Sequence, residues 1–388
     1  ERLGRIEGMA EPMPALLPYV DPEGLEEFSV VFTDRSLNHM SRAFQEVMRD
    51  ISAMLREVYN ADAVALVPGG GTCAMEAVAR QFAAGRKALV VRNGWFSYRW
   101  SQIFETGGFA GDVVVAMARQ VGNSPKSAFA PAPIAEVTAS IRAARPDVVF
   151  APHVETAAGM ILPDDYLKAL ADAAHEVGAL FVLDCIASGC VWVDMKATGV
   201  DVLISAPQKG WSASPSAGLV MLSDRAAKRL EETTSNSFAL DLKKWRAIMA
   251  AYEGGGHAYH LTMPTDALRG FRDAMRETRD YGFGRLREAQ WKLGNGVRAE
   301  LAQRGIRSVA ADGFAAPGVV VSYTDDPEIQ SGRKFLAHGV QIAAGVPLQV
   351  GEGADFRTFR LGLFGLDKLY DVDGTVARVK QALDAAGL

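Results

Sequence analysis

An α/β fold, with a mostly parallel sheet covered by helices and a smaller α+β domain after it, is what this sequence predicts. Three observations carry that expectation. Short apolar runs alternate with helix-length amphipathic segments from about residue 60 to 220, the rhythm of strand–helix units around a parallel sheet. The runs are apolar along their length, as strands buried on both faces are. Beyond Arg225 the pattern turns helical, and strands then return before a last amphipathic segment. The expected division is an entry arm over 1–30, a large domain over 31–265, and a linker helix with a small C-terminal domain over 266–388.

Taken in order, the first 30 residues are rich in Pro and Glu, with Met13-Pro14 and the turn Asp21-Pro22-Glu23-Gly24, and read as an extended arm. From Ser41 to Tyr59, Phe44, Val47, Met48, Ile51, Met54, Leu55 and Val58 recur at helical spacing. Between arm and helix, Arg35, Asn38 and His39 read as ordinary loop residues. Ala63 to Val67 reads as a strand, Cys73 to Phe82 as a helix, and Pro68-Gly69-Gly70-Gly71-Thr72 as the glycine turn joining them. Such a turn builds an anion site, because the first N–H groups of a helix lack partners and the helix dipole is positive there. It is neither GxGxxG nor a P-loop with its lysine, so a single small phosphate suits it better than a nucleotide.

Further strands are expected at Ala88–Val91, Asp112–Ala118, Val148–Ala151, Phe181–Asp184, Asp201–Ser205 and Gly218–Leu222, with helices at Ile134–Ala144 and Tyr166–Val177. Downstream, Gly254–Pro264 interrupts the helical pattern, Thr265 to about Gly305 reads as one long helix, Gly318–Tyr323 and Thr358–Leu361 as strands, and Val372–Ala386 as the closing helix.

Composition narrows the partners. With 388 residues, of which 49% are hydrophobic, the chain can bury a large core. A net charge of −5 without blocks of like charge argues against nucleic acid and anionic membrane, and no apolar run approaches the ~20 residues that span a bilayer. Cys73, Cys185 and Cys190 form no even framework and lie in apolar stretches, which suits a reducing cytoplasm.

The chemistry gathers between Phe181 and Trp211. One strand ends in Asp184, and Gln208 and Lys209 follow the end of the next. Ligands of open α/β sheets sit outside the carboxyl ends of the strands, so both groups face one crevice. An acid and a lysine so placed are what a pyridoxal phosphate enzyme needs: the lysine forms the Schiff base, and the acid keeps the pyridine nitrogen protonated. Either residue alone has a plainer reading, the Asp as a cap and the Lys as a solvated charge. Agreement with four other stretches favours the chemical reading.

Those stretches are Gly70-Gly71-Thr72, Trp95-Phe96, His153-Val154-Glu155-Thr156 and Phe359-Arg360-Leu361-Gly362. In this order, with Asp184 and Ala206-Pro207-Gln208-Lys209-Gly210, the chain resembles the class V aminotransferases of the fold type I pyridoxal 5'-phosphate enzymes, nearest to the alanine–glyoxylate and serine–pyruvate aminotransferase group. The resemblance implies that Lys209 is the Schiff-base lysine and Asp184 the partner of the ring nitrogen. It makes Gly70, Gly71, Thr72 and Gln208 the phosphate cradle, and places the hydroxyl of Thr156 on the cofactor's ring substituents. It puts an aromatic ring on the cofactor, Phe96 or its neighbour Trp95. Tyr259-His260-Leu261-Thr262-Met263-Pro264 matches the segment that reaches the neighbouring subunit's phosphate, which implies a homodimer assisted by Tyr259 and Thr262. Arg360 would grip the substrate carboxylate with its planar fork, whereas Arg357 reads as a surface charge. The arm departs from the family's Gly-Pro-x-Pro opening, so the substrate side chain is the least transferable element.

The implied reaction is transamination from a small amino acid such as alanine or serine to a 2-oxo acid such as glyoxylate or pyruvate, with Lys209 as base and ping-pong kinetics. A lyase or racemase on the same cofactor is the alternative, and a non-catalytic cofactor-binding sensor is a further one. A desulfurase would need a reactive cysteine on a mobile loop.

Overall fold

The computed structural model describes residues 28–33 and 35–388. Met13-Pro14 and the Asp21–Gly24 turn of the expected arm lie outside the described residues.

Seven strands form the central sheet of the described residues, in the spatial order Ala63–Pro68, Ala217–Leu222, Val202–Ser205, Leu180–Asp184, Val148–Pro152, Ala88–Arg92 and Val113–Met117. The last five pair in parallel. Ala217–Leu222, expected simply as another strand of a mostly parallel sheet, runs antiparallel to both its neighbours. Because Ala63–Pro68 is antiparallel to that inserted strand, its own carboxyl end points the same way as those of the parallel set. Six strand ends therefore emerge on one edge, and every candidate residue up to Lys209 lies at or just beyond one of them.

Local chemistry explains the elements. The Arg42–Tyr59 helix starts where Ser41 accepts a hydrogen bond from the Phe44 N–H at 3.2 Å and stops at Asn60, which adopts the left-handed conformation. Its buried stripe contains Phe44, Val47, Met48, Ile51, Met54 and Leu55, the residues whose spacing predicts it. The strands Val148–Pro152 and Leu180–Asp184 are buried at every position, as helices on both faces require.

Two expected boundaries are corrected. The helix after the glycine turn begins at Gly71, not Cys73, so Thr72 stands inside its first turn and Gly70 precedes it. The single linker helix is two helices, Thr265–Tyr281 and Phe283–Gln303, broken at Gly282, whose φ of 109° leaves the helical region. Cys185 and Cys190 are buried as expected, but Cys73 is only half-buried.

The C-terminal part holds an antiparallel three-stranded sheet in the order Val319–Tyr323, Thr358–Gly362, Ala343–Ala344. Arg360 stands on its middle strand, opposite Val321 on one side and Ala343 on the other. Gln290, fully buried on the Phe283–Gln303 helix, ties this sheet to the large one. It accepts the Cys190 N–H at 3.3 Å and donates to the carbonyls of Pro317 and Leu363 at 3.3 and 3.1 Å.

Candidate active site

The turns on the shared edge meet through contacts that only glycine permits. A Cβ at Gly71 would lie 2.4 Å from Ile186 Cδ1 and 3.5 Å from Ala206 Cβ. The start of the Gly71–Phe82 helix thus packs directly on the loops that carry Asp184 and Lys209. Gly210 meets the Gly189 carbonyl oxygen so closely that a Cβ would come within 2.1 Å of it, and Ser212, at a φ of 56°, returns its N–H to the Lys209 carbonyl at 3.2 Å. Lys209 therefore stands on a tight turn held against the loop that follows Asp184.

Asp184 is buried, and its side chain accepts the Ile186 N–H at 2.9 Å. Burial pushes its carboxyl up to about 7; the charge of Glu155 reinforces the rise, while the Ile186 N–H and Arg99 oppose it. The Lys209 ammonium is held below its ordinary value by burial and by the nearby Arg360 charge. Its Nζ stands 5.5 Å from the centre of the Phe364 ring. Arg360 lies with its guanidinium carbon 5.6 Å from the Phe96 ring centre, and its Nε donates to the Ala344 carbonyl at 2.7 Å. With Nε engaged, the two Nη groups remain to face a ligand.

Phe96 sits at the start of the Trp95–Gly107 helix, which a buried carboxylate holds in place. Glu155 accepts from the Phe96 and Ser97 N–H groups at 3.2 and 2.9 Å, from the Ser97 hydroxyl at 2.6 Å and from the Ala157 N–H at 3.1 Å. Burial raises its carboxyl in spite of these bonds. His153, also buried, has Nδ1 2.6 Å from the Ser188 hydroxyl and donates its backbone N–H to the Asp184 carbonyl at 2.8 Å. Burial drives its imidazole down to about 3, so it is neutral. Trp95 packs beside Tyr98, ring centres 6.0 Å apart, and against the same apolar cluster as Phe96.

A run of contacts links the expected residues: Arg99 joins Thr72 to Phe96, Phe96 lies beside Arg360, the Arg360 charge reaches Lys209, and Gly71 packs on Ile186 and Ala206, next to Asp184 and Lys209 in the chain. Thr156 stands half-buried in the turn directly after Glu155, and Gln208 is exposed beside Lys209. Tyr259 and Thr262 are exposed, with their hydroxyls 3.4 Å apart, and the Tyr259 ring centre lies 5.6 Å from that of His39; among the described residues no hydrogen bond or ring contact joins them to Lys209. Glu155, Arg99 and Gln290 belong to the site's framework and were not expected. The i, i+3 spacing of Phe96 and Arg99 on a helix is the signal that could have shown the second.

The sequence profile of the family described as aminotransferase class-V matches residues 26–345. This chain belongs to the class V aminotransferases. A class V aminotransferase of this kind depends on pyridoxal 5'-phosphate. It is 26% identical over 355 residues to alanine–glyoxylate aminotransferase 1 of Saccharomyces cerevisiae, covering 85% of this chain and 86% of that one. It is 25% identical over 332 residues to a protein of Synechococcus named soluble hydrogenase, small subunit, covering 85% and 83%. Among solved structures, the alanine–glyoxylate aminotransferase of Nostoc superposes with a TM-score of 0.74 at 24% identity over 89% of this chain and 88% of that one. The pyridoxamine–pyruvate aminotransferase of Mesorhizobium loti gives 0.72 at 17% identity over 92% and 87%. These superpositions place the class V aminotransferase in the fold type I architecture.

The residues fit the cofactor on grounds internal to the structure. Asp184 is a buried carboxylate with no cation hydrogen-bonded to it among the described residues, the environment a protonated ring nitrogen completes. Gly70 has no side chain to cap the helix that starts at Gly71, so the first-turn N–H groups stay available to a phosphate.

Proposed function

We propose that this aminotransferase moves the amino group of a small amino acid, alanine, serine or similar, to a 2-oxo acid such as glyoxylate or pyruvate, in a ping-pong cycle through Lys209. The observation that carries the reading is the position of Arg360, with its guanidinium carbon 5.6 Å from the Phe96 ring centre and its Nε tied to the Ala344 carbonyl, beside a Lys209 amine that burial and then the Arg360 charge hold below its ordinary value. A carboxylate-binding fork and a proton-accepting amine then serve one substrate.

Pyridoxal 5'-phosphate supplies a carbonyl for the amino group and a ring that accepts electrons. Lys209 would hold it covalently and, as a free amine, would take the proton from the substrate's Cα; burial and the Arg360 charge both favour the neutral amine that this task needs. Asp184 would keep the proton on the ring nitrogen. Gly70, Gly71, Thr72 and Gln208 would hold the phosphate, Phe96 would cover the ring and Thr156 would bond its substituents. Arg360 orients the substrate by accepting its carboxylate between the two Nη groups. The chain divides, on this reading, into a cofactor domain over 31–265 and a small domain over 266–388 that carries Arg360. The exposed Tyr259 and Thr262 serve the partner's site in a homodimer. Three unpaired cysteines support a cytoplasmic setting, and no helix of the described residues is long and apolar enough to cross a membrane.

A half-reaction screen tests the reading. The cofactor-loaded protein is mixed with single amino acids, and its visible band is followed. Loss of the band with an equivalent of 2-oxo acid released from alanine or serine is the expected result. Release of ammonia or a cleaved fragment, or inversion of the amino acid without loss of the band, would replace transamination with a lyase or racemase.

A further inference from the structure

Arg99 is a charged group of the crevice to which the proposed reaction gives no task. It stands on the Trp95–Gly107 helix, with its guanidinium carbon 5.4 Å from the Phe96 ring centre. Its Nη1 donates to the Thr72 hydroxyl oxygen at 3.0 Å. That partner is neutral, so the bond does not cancel the charge, and the positive field reaches Asp184, whose pKa it lowers.

The direction of this bond has a consequence. A guanidinium has only donors, and a hydroxyl has one proton and two lone pairs. Thr72 must therefore accept from Arg99, and its own proton is left for another acceptor. Thr72 is exposed, in the first turn of a helix whose N-cap is a glycine without a capping side chain. The hydroxyl and the first-turn N–H groups are thus all donors on the end of the helix where the dipole is positive.

We propose that Arg99 is a positioning residue for the cofactor phosphate. It acts through Thr72, fixing the hydroxyl as a donor to the anion, and it adds an uncancelled positive charge behind it. The inference rests on the pyridoxal 5'-phosphate reading of the crevice. It assigns to Arg99 the discrimination between phosphorylated and unphosphorylated cofactor, not a share in proton transfer.

The test is a binding titration of the cofactor-free protein with pyridoxal 5'-phosphate and, separately, with pyridoxal, followed by absorbance. Arg99→Gln and Thr72→Val are each expected to raise the Kd for pyridoxal 5'-phosphate about tenfold, the loss of one charge-assisted hydrogen bond. The Kd for pyridoxal should stay within about twofold. The double variant should bind no more than about twofold worse than the weaker single one, because the two residues act as one unit. Equal losses for both ligands, or losses that multiply in the double variant, would overturn the proposal. If Arg99→Gln does not fold, Arg99→Lys keeps the charge but not the planar fork, and it should still weaken the phosphorylated ligand selectively; unchanged selectivity there overturns the proposal as well. Failure of the unaltered protein to bind either ligand would instead sink the parent reading.

Discussion

At Lys209 the electrostatics and the chemistry are the same question. Burial and the Arg360 charge both disfavour its ammonium form, so replacing Arg360 with Gln should raise the Lys209 pKa. Lys209 serves as base only when neutral, so the acid limb of the half-reaction profile should move to higher pH. Carboxylate substrates should bind at least about tenfold more weakly, whereas amines lacking a carboxylate should lose little affinity. A profile that stays in place would detach Arg360 from Lys209. Lys209→Ala should abolish turnover and leave the circular-dichroism melting curve intact; retained steady-state turnover would refute its role. Asp184 gives a prediction of opposite sign. Its carboxyl is raised from 3.8 to about 7 in the folded chain, so the folded state binds the proton more tightly than the unfolded state. Stability of the cofactor-free protein should fall as pH rises across that window, by up to roughly 1.4 kcal/mol per pH unit. Asp184→Asn should flatten this slope in denaturant titrations, and an unchanged slope would mean that another group sets it.

The Trp95–Gly107 helix shows how an element is aimed. Its N-cap, Gly94, has no side chain, and Glu155 supplies the missing acceptor from a different turn of the sheet edge. The helix dipole and these N–H groups offset only part of what burial costs the carboxylate, whose pKa stays raised. A Cβ at Gly94 would come within 2.7 Å of Glu155 Cγ, so helix and acid are fitted as a pair. Glu155→Ala should leave the Ser97 and Phe96 N–H groups without acceptors and cost roughly 2–4 kcal/mol in chemical denaturation. It should also loosen Phe96 and weaken cofactor binding. A loss under about 0.5 kcal/mol would show that the helix holds its aim without this carboxylate.

For the whole molecule, the matter is which parts complete one site. Gln290 bolts the loop after Asp184 to the segments flanking Arg360's strand, and its three bonds are buried. Tyr259 and Thr262 turn outward instead, which in a homodimer would serve the partner. Mixing decides between the two arrangements. Lys209→Ala and the Tyr259→Ala/Thr262→Ala double variant are each expected to have little or no activity. If the aromatic and hydroxyl act across the interface, unfolding and refolding the two together should restore activity, because a mixed dimer holds one site with an intact lysine and an intact partner segment. If they act within their own chain, the mixture should stay inactive.

Much of this was already written in the chain. The alternation of buried apolar runs with amphipathic helices is a local property, set by periodicity and length, and it predicted all seven strands of the large sheet. Asp184, Lys209 and the glycine turn could be paired from sequence because parallel strands deliver their carboxyl ends to one edge. Other features were not local. The antiparallel insertion of Ala217–Leu222 and the break at Gly282 depend on which surfaces the chain finds to bury, and a pattern of apolar residues does not state direction or partner. Glu155, Arg99 and Gln290 look like ordinary polar residues in sequence, since a carboxylate, guanidinium or amide acquires a task only from the groups folded against it. Periodicity and turn chemistry, both local, are enough to set the strand–helix architecture and the kind of chemistry its turns can perform. Which side chains aim that chemistry follows from hydrogen-bond geometry and burial, which arise between segments distant in the chain.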